Sequence, residues 1–187
     1  MSGLVIGIII AVAVLVIIIS CVATYNSLVK SKNNVEKAFA DIDVVLKKRY
    51  DLIPNLVNTV KGYAKHEQET FTKVINLRAE AIKSHNVNEK VKLNNEITSS
   101  LGSLVAIAEN YPNLKADSNF LSLQQSLSNI EDQLSSMRFS YNATVTTYNN
   151  KTETFPNSII AKMFKFKQAE LFVISNKVER ENVKVEF

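Results

Sequence analysis

Hydrophobic residues along this chain follow two patterns, one continuous and one periodic. Residues 4–23 form an uninterrupted apolar run without a charged side chain. A helix of about 20 residues, rising about 1.5 Å per residue, spans roughly 30 Å, the thickness of a bilayer's hydrocarbon core. The alternative is a buried core helix of a soluble protein, but such a helix would have a polar face. The run therefore predicts a transmembrane anchor over residues 1–24.

After this run, apolar residues recur at alternating spacings of four and three, which is typical of helices packed in a bundle. The series cover 35–81, 97–108 and 120–148, separated by polar or proline-containing stretches at 84–88 and 110–113. Short connections between long amphipathic helices favour antiparallel neighbours. The pattern predicts an all-α protein, in which an N-terminal transmembrane helix precedes an up-and-down bundle of about four long antiparallel helices.

The C-terminal part is less regular. A last amphipathic piece at 157–170 leads into the apolar residues 171–175. In the final residues, valine and phenylalanine alternate with charges, which permits a short strand or an extended end. The chain thus divides into three predicted parts: an anchor at 1–24, a helical bundle at 25–175 and a charged tail at 176–187.

Two residues of the first series depart from the pattern of a packed helix. Pro54 removes a helical hydrogen bond and crowds the carbonyl of Tyr50, which costs roughly 3 kcal/mol in a helix interior. The apolar spacing keeps its phase across it, so a kinked continuous helix is favoured over two elements. Arg49 occupies an apolar position and must either find a partner or extend its charge to solvent. Candidate partners are the acidic residues Glu109, Glu131 and Asp132.

Composition argues against several classes of function. The chain has 22 Lys and Arg against 18 Asp and Glu, a net charge of +4, which is too small to indicate nucleic-acid binding. It has four glycines and no glycine-rich phosphate loop. His66-Glu67 begins like a zinc-protease helix, but Thr70 stands where the second histidine would be. We therefore expect no enzyme activity: no catalytic, cofactor-binding or metal-binding residues and no small-molecule substrate.

The single cysteine lies inside the apolar run. Ile18-Ile19-Ser20-Cys21 resembles a bacterial lipobox, in which cleavage leaves a lipidated cysteine. A secretory signal also needs a positively charged start, which residues 1–3 lack. An uncleaved anchor is therefore favoured, and lipidation of Cys21 is the alternative.

The flanking charges suggest an orientation. No basic residue precedes the apolar run, and Lys30, Lys32 and Lys37 follow it. The positive-inside rule then places the bundle in the cytoplasm with the N-terminus outside. The lipobox-like residues argue for the opposite orientation, so the sequence leaves both open.

Two blocks of residues resemble the LemA family of bacterial membrane proteins. The first is KRYDLIPNLV at 48–57 with VKGYA at 60–64, and the second is the set Tyr148-Asn149, Phe155-Pro156, Ile160-Ala161 and Phe166. The resemblance implies an N-terminally anchored helical bundle in the bacterial cell or inner membrane, without an established enzyme activity. The motif residues that it singles out are Arg49, Tyr50, Asp51, Pro54, Asn55 and Gly62.

Two functions suit such a chain. The first is a membrane-tethered scaffold or adaptor that acts by self-assembly or partner binding, with the lipid bilayer and a homo-oligomer or membrane protein complex as its partners. The second is a protein that remodels or organises membranes through the amphipathic segment 155–174, with Phe164 and Phe166 as membrane contacts. The segment could instead pack on the bundle. Exposed rings favour the membrane role, and buried rings favour the scaffold.

Overall fold

The computed structural model describes residues 2–84 and 86–172, and within them every regular element is a helix. The all-α class predicted from the hydrophobic pattern is therefore confirmed. The charged tail predicted at 176–187, with its strand or extended end, lies outside the described residues. The helices are α1 (Ser2–Tyr63), α2 (Gln68–Lys83), α3 (Val87–Glu109), α4 (Pro112–Lys115), α5 (Ser118–Glu153) and α6 (Asn157–Met163).

Helix α1 contains both the apolar run and Pro54. This confirms that the helix continues across the proline. The periodic series at 35–81 does not form a single helix, however, because α1 ends at Tyr63 and a turn at 64–67 precedes α2. The turn takes up as many residues as a helical turn, so the apolar spacing alone does not reveal it. Gly62, a poor helix former, precedes it in the last turn of α1.

Side chains cap the starts of α3 and α5. Asn86 and Asp117 each accept hydrogen bonds from the backbone N–H groups two and three residues further along, at 2.9–3.2 Å. Each cap satisfies two of the N–H groups that a helix start leaves without a partner. Between these helices, Tyr111 has the non-helical φ of −125° and ψ of 87° that a following proline favours.

Residues 42–138, together with Phe172, belong to one compact unit. Within it α1 and α3 run parallel, as the contact pairs Asp43–Lys90 and Arg49–Asn94 require. Helices α1 and α5 run antiparallel, as required by the pairs Arg49–Glu131 and Tyr63–Asp117. The up-and-down alternation predicted for the bundle is present in this unit. Its core includes the fully buried side chains of Ile53, Leu56, Ile97, Leu104 and Leu134.

Residues 2–41 and 139–171 belong to a second compact unit. Here Leu28 of α1 forms a buried cluster with Ile160 and Ala161 of α6, and Cys21 and Phe166 pack against it. We call the three buried residues the Leu28 cluster. Through Cys21, which packs on it, the cluster joins the end of the apolar run to α6.

The amphipathic piece predicted at 157–170 is helical only as far as Met163, where α6 ends. Lys165 adopts the left-handed conformation, with φ 57°. The N–H of Lys165 bonds the carbonyl of Lys162 at 3.2 Å, and the N–H of Phe166 bonds the carbonyl of Ala161 at 2.9 Å. This pair of bonds is a Schellman motif, which closes a helix and reverses the chain.

Candidate functional site

Arg49 is the centre of a polar cluster inside the unit of residues 42–138, and only 1% of it is exposed. Its Nη1 donates to Oδ1 of Asn94 at 2.6 Å, and its Nη2 donates to Oγ1 of Thr98 at 2.8 Å, both on α3. The Nη2 group also forms an ion pair with the carboxylate of Glu131 on α5. One side chain of α1 therefore joins three helices. We call these four residues the Arg49 cluster.

The structure decides between the two sequence interpretations of Arg49. The side chain is buried and paired, and the alternative that it extends to solvent is wrong. Of the three acidic candidates Glu131 is the partner, whereas Glu109 and Asp132 are exposed.

Burial dominates the electrostatics of the Arg49 cluster. It lowers the pKa of the Arg49 guanidinium, Glu131 opposes that change, and the nearby charge of Arg138 adds to it. Glu131 keeps 36% of its side chain exposed, so the carboxylate retains contact with water. Among residues 2–84 and 86–172, the buried Nε of Arg49 has no hydrogen-bond partner. The three charge-assisted contacts of the terminal nitrogens therefore offset only part of the desolvation of this cation.

Pro54 creates a second contact between helices. A proline has no backbone N–H, so the carbonyl of Tyr50, four residues earlier, loses its helical donor. The Nε of Arg78 on α2 donates to that carbonyl at 2.6 Å. A side chain of a neighbouring helix thus satisfies the carbonyl that the proline leaves without a helical donor. The Tyr50 ring is buried, which raises the pKa of its hydroxyl to about 12.

Asp43 and Lys90 form a third contact, between α1 and α3. Both carboxylate oxygens of Asp43 accept from Nζ of Lys90, at 2.7 and 2.8 Å. From sequence, Asp41 and Asp43 are both expected to be surface charges. Asp41 is exposed, but Asp43 is half-buried and bridges two helices.

These contacts join helices and present no reactive group. Both terminal nitrogens of Arg49 are engaged by protein atoms. In the described ranges, no three His, Cys, Asp or Glu side chains lie together as metal ligands would. The Arg49 cluster favours one packing register of the helices, because an Arg49 displaced by one helical turn would be buried without its partners.

Three motif residues of α1 lie outside this core. Asp51, Asn55 and Gly62 are exposed, and their spacings of four and seven put them on one face of the helix. In the described part of the chain, the side chains of Asp51 and Asn55 make no hydrogen bond or ion pair. A Cβ added at Gly62 would meet nothing within 4 Å. The packing of the described residues therefore gives no reason for these three.

The second motif block holds a strap without regular secondary structure, residues 167–170, along α5. The hydroxyls of Tyr148 and Tyr141 donate to strap carbonyls at 2.8 and 2.9 Å. The amide of Asn149 both donates to and accepts from the backbone of Ala169, each at 2.9 Å. Tyr148 and Asn149 thus replace the backbone partners that a strand would supply.

The residues proposed for membrane contact or lipidation lie close together. Phe164 is 52% exposed and its ring centroid is 4.7 Å from that of Tyr25. Phe166 is half-buried, at 5.8 Å from the same ring, and packs on the Leu28 cluster with Cys21. The exposure test therefore gives a divided result, with one ring outward and one inward.

Sequence reasoning missed Asn94, Lys90 and Arg78. Asn94 lies three residues before Ile97, and Lys90 lies four residues before Asn94. Both therefore occupy positions in phase with the second apolar series. A polar residue at an apolar position is the signal that marked Arg49, and it applied equally here. Arg78 lies outside the series of its helix and offered no such signal.

Comparisons with known proteins agree along most of the chain. The LemA family model matches residues 38–187. Protein LemA of Metamycoplasma hominis is 28% identical over 162 residues, covering 84% of this chain and 72% of that protein. Magnetosome protein MamQ 2 of Paramagnetospirillum magneticum is 24% identical over 186 residues, covering 86% of this chain and 68% of that protein. Neither relative is named for an enzymatic activity.

Proposed function

The chain belongs to the LemA family, and from this premise we propose that it is a single-pass, membrane-anchored helical scaffold or adaptor that acts by assembly and not by catalysis. The observation that carries the proposal is the exposure of the apolar run. The large apolar residues from Leu4 to Val22 are 49–73% exposed, although their helix continues into a packed core. On a biological insertion scale such a run favours the bilayer by roughly 4–8 kcal/mol.

The proposal includes a cytoplasmic bundle with the N-terminus outside. The three lysines that follow the span support this orientation through the positive-inside rule.

Lipidation of Cys21 is the alternative form of anchoring. Mass spectrometry of the N-terminal peptide from purified membranes distinguishes an uncleaved anchor from a lipidated Cys21, because lipidation requires cleavage before Cys21.

Assembly is the proposed mode of action, because long exposed helix faces near the anchor are available for contact. Asn33 and Lys37 are exposed and four residues apart, so they share a face of α1. Anchoring confines copies to two dimensions, which raises the effective concentration of weak helix contacts.

Cysteine crosslinking in intact membranes tests this mode of action. In a Cys21→Ser background, Asn33→Cys and Lys37→Cys are expected to give discrete bands above monomer at native expression. Lys73→Cys, an exposed site on α2, is the control for random collision. A monomeric pattern at both test positions, or one equal to the control, contradicts self-assembly through this face and leaves other proteins as partners.

Membrane organisation through the segment 155–174 is a second candidate function, and the outward Phe164 ring favours it. The similarity to a magnetosome protein also supports it. Vesicles reconstituted with the full chain would change in size or curvature under this function and keep their shape under a pure scaffold role.

A further inference from the structure

An exposed apolar stripe lies in the unit of residues 2–41 and 139–171. Phe155, Ile159 and Met163 follow one another at spacings of four, and Phe164 adjoins the last of them. Between 52% and 81% of each residue is exposed. Residues four apart share a face of a helix, so Ile159 and Met163 point to the same side of α6. We call these four residues the α6 stripe.

The fold keeps this stripe outward. The opposite side of α6 is buried, since Ile160 and Ala161 pack on Leu28. The Schellman turn at Lys165 then returns Phe166 to the same cluster and leaves Phe164 outside. A non-glycine residue in the left-handed conformation is unfavourable, and here it serves to separate the two rings. Within this unit, α6 already makes its core contacts through its opposite side, so the exposed stripe is not an unpacked part of that core.

The stripe is continuous with the proposed transmembrane span. The ring of Phe164 contacts that of Tyr25 at a tilt of 56°, and Tyr25 follows the apolar run by two residues. Cys21, inside the run, packs on the cluster that seats α6. Tyrosine at the end of a span is typical of the membrane–water interface. The C-terminal end of the apolar run therefore carries both the proposed bilayer boundary and the contact with Phe164 of the α6 stripe.

Charge around the stripe fits an anionic lipid surface. Lys162, Lys165 and Lys167 are exposed beside it, and residues 154–169 contain no Asp or Glu. Large apolar groups interspersed with lysines are the composition of helices that lie in the plane of a membrane interface.

We propose that the α6 stripe lies in the boundary between headgroups and acyl chains of the leaflet from which α1 emerges, with its three lysines directed to anionic lipid. This inference rests on the proposed anchoring by α1. The chain would then hold the membrane at two points, a span and a surface helix, and the strap would fix the second to α5.

Fluorescence quenching in vesicles tests this placement. The full-length protein carries Cys21→Ser and one bimane-labelled cysteine, Ile159→Cys or Met163→Cys, in brominated phosphatidylcholine with a minority of phosphatidylglycerol. Phe139→Cys is the control, because Phe139 is an apolar residue of α5 in the same unit, at 79% at least as exposed as the two labelled positions, and lies 16 positions before Phe155. The label on the stripe is expected to lose at least about twice the fluorescence that the control loses. Quenching no greater than at the control overturns the proposal.

A third label separates the failures of the two proposals. Ile10→Cys reports the span itself. If it is quenched and the stripe is not, only the stripe proposal is wrong, and if neither is quenched the anchoring is wrong. The stripe label is expected to be quenched more in vesicles that contain phosphatidylglycerol than in vesicles of phosphatidylcholine alone. With Lys162, Lys165 and Lys167 changed to glutamine, this extra quenching is expected to disappear. Extra quenching that persists in this variant overturns the assignment to anionic lipid.

Discussion

Replacement of Arg49 by methionine removes the group that joins α1, α3 and α5. Methionine keeps an unbranched apolar stem, so the main loss is the guanidinium and its contacts with Asn94, Thr98 and Glu131. Breaking a buried ion pair from one side costs about 3–5 kcal/mol. Two features place this case at the lower end. The stranded Glu131 is 36% exposed and can regain water, and Thr98 keeps its own bond to the Asn94 carbonyl at 3.1 Å. We expect Arg49→Met to lower the free energy of unfolding by about 3 kcal/mol.

Urea unfolding of the full-length protein in detergent micelles, followed by far-UV circular dichroism, measures this loss. Lys48→Met is the matched control, since Lys48 precedes Arg49 and is exposed. Its effect is expected within about 0.5 kcal/mol of zero. If Arg49→Met behaves like the control, the cluster does not stabilise the fold and the reasoning fails.

The double variant Arg49→Met/Glu131→Met identifies the cause of the loss. Removal of the stranded carboxylate should recover about 1 kcal/mol or more relative to Arg49→Met alone, because an apolar pair replaces an unbalanced charge. An additive loss would mean that Glu131 is fully hydrated and that the ion pair contributes little.

Three further predictions follow from the helix contacts. Arg78→Met is expected to lower the free energy of unfolding by roughly 1.5–3 kcal/mol, because the Tyr50 carbonyl loses its donor. In a Pro54→Ala background the loss should be about half as large, since a restored backbone N–H competes for that carbonyl. Equal losses in the two backgrounds, measured in the same urea assay, would refute that role of the proline. Gly62→Ala should stabilise the protein by about 0.5–1 kcal/mol, since alanine favours helix and its Cβ meets nothing, and a lower midpoint would contradict this. Asp117→Ala should lower Tm at neutral pH. The N–H of Phe120 and the hydroxyl of Tyr63 lower the pKa of Asp117. Its stabilisation is therefore present above the ordinary pKa of 3.8 and is lost as pH falls through the lower folded value. The difference in Tm between the unmodified protein and Asp117→Ala should disappear in acid, and a difference that does not change with pH would contradict this role of Asp117.

Apolar spacing predicted the helical class because burial repeats with the helix period. It singled out Arg49 as a charge at an apolar position, which must either be paired or extend to solvent, but it did not decide between the two. It did not identify Glu131 over Glu109 and Asp132, since that choice depends on which helix, and which face and turn of that helix, lies opposite Arg49. That register is a tertiary quantity, set by the packing of three helices together.

The ends of helices were harder to predict than their interiors. The turn at 64–67 preserves the apolar phase, so periodicity could not detect it. The end of α6 depends on a lysine in the left-handed conformation, a position that usually takes glycine. No local residue preference marks Lys165, and the burial of Phe166 on the Leu28 cluster accounts for the reversal.

The mass of the full-length protein purified from native membranes in mild detergent tests the central proposal most directly, together with the identity of anything that co-purifies. The chain alone is 20.9 kDa. A scaffold that acts by assembly should give a protein mass at a multiple of that value, or a stable complex with another membrane protein. It should return to one copy, soluble and helical, when residues 1–24 are deleted. A full-length protein of 20.9 kDa that co-purifies with no partner would contradict the account.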